Sequence, residues 1–336
     1  MAQRHPDPPA PSTPARTPDD ALTGYLRARS TEFLRALRLH GEAPAESTRA
    51  LRRAARRLTA TLHTYRPLLN PAWSDQLQPE LAWLSGTLGA EHTYEARLTR
   101  LLGALARLSD PAYATVSGPR ADPAPRTGSG APTAATVHLG AAKAAALLER
   151  RLTLARTRAH STALQALGSA RFHAVADTVA VLASDVPLTT TPDGTDLRSL
   201  AAAAEERLTD AVAALPVLPP GHPCTTEPPP QGLADTPWHQ VRLLLRLHRY
   251  AQEVLDGDGD GSPHPRLLTA ALALNRHRDA AEAAGAAAQA ARTPRIAPAT
   301  AYTLGVLHAD QRHEVEACRF AFQQAWRQRP VAPAPH

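Results

Sequence analysis

Residues 49–66, RALRRAARRLTATLHTYR, read as one amphipathic helix with a buried stripe and a positive face. At 3.6 residues per turn, Leu51, Ala55, Leu58, Leu62 and Tyr65 fall on one side, at the spacing of a core-facing stripe. Arg49, Arg52, Arg56 and His63 fall on the opposite side. The segment holds six arginines, Arg53, Arg57 and Arg66 included, and no acidic residue. A charged run is usually a solvated surface, but such surfaces interleave Glu with Arg at i,i+4, and that support is missing here. The face is therefore expected to meet an anion.

A second helix repeats the pattern. At 237–255 the sequence PWHQVRLLLRLHRYAQEVL sets His239, Arg242, Arg246 and Arg249 on one face, three, four and three residues apart. Val241, Leu244, Leu245, Ala251 and Leu255 supply its apolar surface. Thr236 and Pro237 read as its N-cap and first helical residue. The H-x-x-R-x-x-x-R-x-x-R spacing echoes R-x-x-R-x-x-x-R at 49–56, which points to an internal duplication that brings two stripes around one basic groove. By position alone, His239 suits a capping or core role as well as a ligand.

Composition supports an all-α fold. Aromatics are only 4% of 336 residues, and the one β-like run, TVAVLA at 178–183, sits inside a helical pattern. Helical patterns occupy about 20–40, 47–69, 74–89 and 91–109, then 138–167, 169–184 and 197–214, and finally 237–255, 265–291 and 297–328. The N-terminal residues 1–19 and the C-terminal residues 329–336 read as disordered tails, and the Pro/Gly/Ser-rich stretch 110–136 as a linker between a bundle at about 20–109 and another at about 138–328. Of 37 basic residues only Lys143 is a lysine. GC-rich coding explains part of that bias, yet arginine's planar fork still grips phosphate oxygens in pairs.

The net charge of +6 fits an anionic partner without identifying it. Cys224 and Cys318 make no disulfide framework, no apolar run approaches the ~20 residues of a membrane span, and no secretory h-region is present. The chain reads as cytosolic. DGDGDGS at 256–262 imitates a calcium loop, but its twelfth position would be Leu267 rather than Glu, and Pro263 and Pro265 interrupt it, so an acidic turn is the favoured reading. His308 and His313 lack the companions of a metal site. No Walker loop, G-x-S-x-G or carboxylate pair is found, so no catalytic residue, metal or cofactor is expected.

The segment RRAARRLTATLHTYRPLLNPAWSDQLQPELAWLSGTLG, together with WHQVRLLLRLHRYAQEVL, NRHRDA and FAFQQAWRQ, resembles the conserved histidine α-helical domain (CHAD) family over roughly 21–328. The resemblance implies two helical bundles related by a pseudo-twofold around a basic central groove, and binding of inorganic polyphosphate, often at bacterial polyphosphate granules. It carries a binding role to Arg52, Arg56, Arg57 and Arg66, and to His239, Arg242, Arg246, Arg249 and Tyr250. Arg49 stands where the family's histidine is expected, and His277 and Arg278 of NRHRDA are expected to reach the groove. Thr59, Leu243 and Leu247 occupy positions where basic residues are common, and His92 and Thr93 replace an Arg-Asp pair; the resemblance thus implies a partly degenerate, weakened domain, whose first repeat diverges at Arg49 and Thr59. CHAD domains are often joined to a triphosphatase domain with an E-x-E-x-K motif, but here the only lysine follows LGAA. The expectation is a non-catalytic polyphosphate-binding module, with another polyanion as partner in its place. The alternative is a helical protein that uses the same arginines on nucleic-acid phosphates. It is disfavoured by the scarcity of aromatics on the basic faces.

Overall fold

The computed structural model describes residues 18–110, 134–189, 196–216, 231–256 and 264–327. Nearly all of the expected tails and linker, and the DGDGDGS turn beyond Asp256, lie outside the described residues; Pro18 and Asp19, expected in the N-terminal tail, open the first helix. Among those described, nine α-helices and no strand form the molecule. They are α1 (Pro18–Arg38), α2 (Pro44–Thr64), α3 (Pro71–Ser109), α4 (Ala134–Leu167), α5 (Ala170–Ser184), α6 (Leu197–Ala213), α7 (Gln231–Asp256), α8 (Pro265–Ala291) and α9 (Pro298–Arg327).

Helix α2 buries the stripe its sequence predicts: Leu51, Ala55, Leu58, Leu62 and Tyr65 are wholly inaccessible to solvent. They pack with Leu22, Leu26 and Phe33 of α1, Leu77, Leu81 and Leu84 of α3, and Phe172, Val179 and Leu182 of α5. The Tyr65 hydroxyl donates 2.9 Å to the Ala251 carbonyl and so ties the end of α2 to α7. A second core joins Leu101 and Leu105 of α3 to Leu148 of α4, Ala283 and Ala287 of α8, and Leu304 and Leu307 of α9. A third surrounds Trp238, Val241 and Leu245 of α7 with Leu208 of α6, Leu274 of α8 and Phe322 of α9. The buried face of α8 is built of alanines at 270, 273, 280, 283, 284, 287 and 290, which lets α9 lie close along it. These cores do not divide at the 110–136 stretch, since the first takes α5 from beyond it and the second takes α3 from before it.

Three helix boundaries differ from expectation, and the first is that of α2, which ends at Thr64 rather than 69 and is followed by a separate 3-10 turn over Arg66–Leu68. The segments expected at 74–89 and 91–109 are a single helix of 39 residues, opened by Pro71 and by Asn70, whose side chain accepts from the Trp73 amide at 3.2 Å. Gly89 resembles a helix stop, but a stop needs left-handed backbone, and no positive φ occurs there. Helix α7 begins at Gln231 rather than Pro237, so Pro237 sits inside it. Long-range anchors hold the added turn: Arg319 Nη2 donates to the Ala234 carbonyl at 3.2 Å and to Asp235 at 2.6 Å. Such anchors offset the hydrogen bond that an internal proline removes.

Candidate anion-binding site

Four helices converge on a cavity of about 460 Å³. Helix α2 contributes Arg52 and Arg56, α3 contributes Arg97 and Arg100, α7 contributes Arg242, Arg246, Arg249 and Tyr250, and α8 contributes Arg278. Eight arginines thus share the lining with two carboxylates, Asp279 and Glu282. The stripes of α2 and α7 face the same space, as their matched spacing suggests.

The acidic groups are unevenly shared. Arg97 pairs with Glu282, and Arg278 with Asp279. Arg100 donates to Gln311 and lies 3.5 Å from Glu314. Among the described residues no carboxylate pairs with Arg52, Arg56, Arg242, Arg246 or Arg249. The Nε atoms of Arg52, Arg242 and Arg249 are buried without a hydrogen-bond partner. Burial pushes the Arg56 guanidinium down to about 10, helped by Arg52 and Arg246. It pushes Arg242 down to about 10 as well, helped by Arg278 and Arg246. Arg52 and Arg246 shift the same way, burial being the largest cause for both; Arg278 adds to it in each, while Tyr250 opposes it at Arg246. The free protein therefore holds half-desolvated like charges together, an electrostatic cost that an entering anion relieves.

The remaining residues singled out from sequence lie elsewhere. Arg57 does not line the cavity; its Nε donates to Glu253 at 3.0 Å, and Tyr25 donates to the same carboxylate. Arg66 is exposed and holds Asp75 through two bonds of 2.7 and 2.6 Å. Arg49 lines a flanking pocket of about 340 Å³ that shares Arg52 and His92 with the main cavity. His277 does not reach the groove. It is buried, stacked on Trp238 with ring centres 5.6 Å apart, and its Nε2 accepts from Arg319 at 3.3 Å. His239 sits edge-on against His277, half-buried, outside the cavity lining, with burial and His277 lowering its basicity.

Sequence reading missed Arg97 and Arg100. Their segment, EHTYEARLTR at 91–100, alternates Glu91 and Glu95 with the arginines and so looks like solvated surface. It also missed Asp235, whose carboxylate accepts from Arg312 at 2.8 Å and Arg319 at 2.6 Å beneath the start of α7. Burial opposes ionisation of Asp235, but hydrogen bonds and the arginine charges outweigh it and hold the group far below the usual carboxylate range. No group of three or more His, Cys, Asp or Glu side chains among the described residues could hold a metal ion. His308 instead turns its Nδ1 to the Ala284 carbonyl at 3.0 Å. No helix among them is long and apolar enough to cross a membrane.

The sequence profile of the CHAD domain matches residues 24–288, from α1 nearly to the end of α8. The chain belongs to the CHAD domain family. Among solved structures, this CHAD protein is similar to PptA from Streptomyces chartreusis. The two are 62% identical, the match covers 94% of this chain and 100% of that one, and the TM-score is 0.77. It also shares its fold with the CHAD domain from the plant Ricinus communis, at 21% identity, with 94% and 93% coverage and a TM-score of 0.56. No curated protein matches it.

Proposed function

We propose that this CHAD protein is a non-catalytic binder of inorganic polyphosphate, and that the polymer lies in the arginine-lined cavity between α2, α3, α7 and α8. The observation that carries this reading is the set of five arginines that line one cavity and have no acidic partner among the described residues. Polyphosphate carries about one charge per phosphoryl unit and has no bases to read, so its binder needs spaced cations rather than stacking platforms. Guanidinium forks at successive turns of facing helices match successive phosphates bidentately, and they lose less hydration than ammonium groups would. Tyr250 and His92 are the two rings among the described lining residues, a sparse provision for stacked bases.

In this reading α2 and α7 are the equivalent stripes of an internally duplicated pair of helical bundles. Arg52, Arg56, Arg242, Arg246, Arg249 and Arg278 contact the polymer, joined by Arg97 and Arg100, while Arg57, Arg66 and His277 support the scaffold. The protein acts in the cytosol, at polyphosphate granules where these form. Competition between long-chain polyphosphate and equal charge concentrations of DNA and RNA, at two salt concentrations, tests the reading. Polyphosphate should displace both nucleic acids at physiological salt. Equal or stronger nucleic-acid binding there would overturn it in favour of a nucleic-acid-binding role.

A further inference from the structure

Gly89 lies buried within α3, in ordinary helical backbone, where glycine's conformational freedom serves no purpose. A Cβ added there would stand 2.6 Å from Arg52 Nε, 2.6 Å from its Cζ and 2.8 Å from its Nη2. Cβ atoms essentially never approach other atoms so closely. The guanidinium of Arg52 thus rests against the α3 backbone in the space that any side chain at 89 would fill. Gly86 and Gly103, in the same helix, have nothing within 4 Å of an added Cβ. The contact is therefore particular to Gly89. Arg52 in turn lines both the main cavity and the flanking pocket beside Arg49, and its Nε is buried without a partner. Among the described residues neither a hydrogen bond nor an ion pair fixes this side chain, which leaves packing as the means of holding it there.

We infer that Gly89 is a positioning residue: its bare backbone is the seat that holds the Arg52 guanidinium at the junction of the two pockets. The consequence for affinity rests on the polyphosphate reading above, whereas the seat itself does not. Because the obstructed atoms are the far end of a flexible side chain, alanine at 89 would displace Arg52 and leave the helices in place. Alanine also favours helix over glycine, so a purely structural role for Gly89 predicts no loss of binding from that change.

The test compares Gly89→Ala, Gly86→Ala, Arg52→Ala and the Gly89→Ala/Arg52→Ala pair, with long-chain inorganic polyphosphate as probe. Gly89→Ala should weaken binding about tenfold, the scale of one charge-assisted contact, with an undiminished melting temperature. Gly86→Ala should bind as the wild type. In the Arg52→Ala background the Gly89 change should cost nothing further, because the group it displaces is already gone. Wild-type affinity in Gly89→Ala, or an equal loss in both backgrounds, would overturn the inference.

A ligand-free measurement keeps the two claims separate. In protein labelled with ¹⁵N-arginine, the Arg52 Nε–H signal, assigned by its absence from Arg52→Ala, should be protected from solvent exchange in the wild type and Gly86→Ala. It should lose that protection in Gly89→Ala. Protection that survives in Gly89→Ala refutes the seat whatever the ligand. Failure of the wild type to bind polyphosphate removes the functional reading and leaves the seat to be judged by this signal.

Discussion

At the scale of single residues, the informative distinction is between arginines that have acidic partners and those that do not. Arg66 is spent on Asp75 at the surface, and Arg57 on Glu253, whereas Arg242 is half-buried among like charges with an unbonded Nε. Arg242→Gln should therefore weaken polyphosphate binding by ~1.5–3 kcal/mol, the loss of a charge-assisted contact, while Arg66→Ala leaves affinity unchanged within the precision of calorimetry. A large loss in Arg66→Ala would mean that the polymer runs outside the cavity. Sequence pattern placed Arg52, Arg56, Arg242, Arg246 and Arg249 together because helical spacing fixes which residues share a face. It could not separate Arg57 and Arg66 from them, since their partners lie 196 and 9 residues away. Nor could it place His277, whose burial depends on Trp238 and Arg319 from two other helices.

At the scale of elements, α7 presents the cavity's second stripe and must be held against α8 and α9. Asp235 holds it, clamped by Arg312 and Arg319. Asp235→Asn should destabilise the fold by ~3 kcal/mol, because it takes the buried carboxylate from the buried Arg319 and the half-buried Arg312 and leaves them only Glu316. The folded-state pKa of Asp235 is depressed, so its contribution is full above the unfolded value near ~3.9 and fades as pH falls below it. Denaturant titrations across pH 2–7 should show a weaker loss of stability on acidification in Asp235→Asn than in the wild type; parallel curves would contradict the clamp. This anchor also explains why Thr236 and Pro237 misled. They form a good helix start locally, and the turn before them exists through contacts with residues more than eighty positions away. The break expected between 89 and 91 is likewise absent, and α3 runs through Gly89 without interruption.

One flank of the groove carries the mark of divergence. Thr59, Leu243 and Leu247, where the family resemblance calls for basic residues, line one pocket of about 430 Å³ together with Arg56 and Arg246. The positions lie far apart in sequence, and the fold gathers them at one end of the cavity. Thr59→Lys with Leu243→Arg should tighten polyphosphate binding and steepen its salt dependence by roughly two counterions. Unchanged affinity would mean that the polymer does not follow that flank.

For the whole molecule, the all-α class was legible from periodicity, and the facing of the two stripes followed from their matching spacing. Two of the three cores cross the 110–136 stretch, the first through α5 and the second through α3, and such long-range packing leaves no local signal in sequence. The assembled cavity is a strongly cationic space in which displaced counterions should dominate the free energy of binding. The most direct measurement is the affinity for long-chain polyphosphate between ~50 and ~200 mM salt, for the wild type and for Arg52→Ala/Arg246→Ala. In the wild type log K should fall steeply and linearly with log salt. The double variant should bind more weakly, with a slope shallower by roughly two and an unchanged helical circular-dichroism spectrum. A double variant with wild-type affinity and slope would show that the facing arginine stripes are not where the polymer binds.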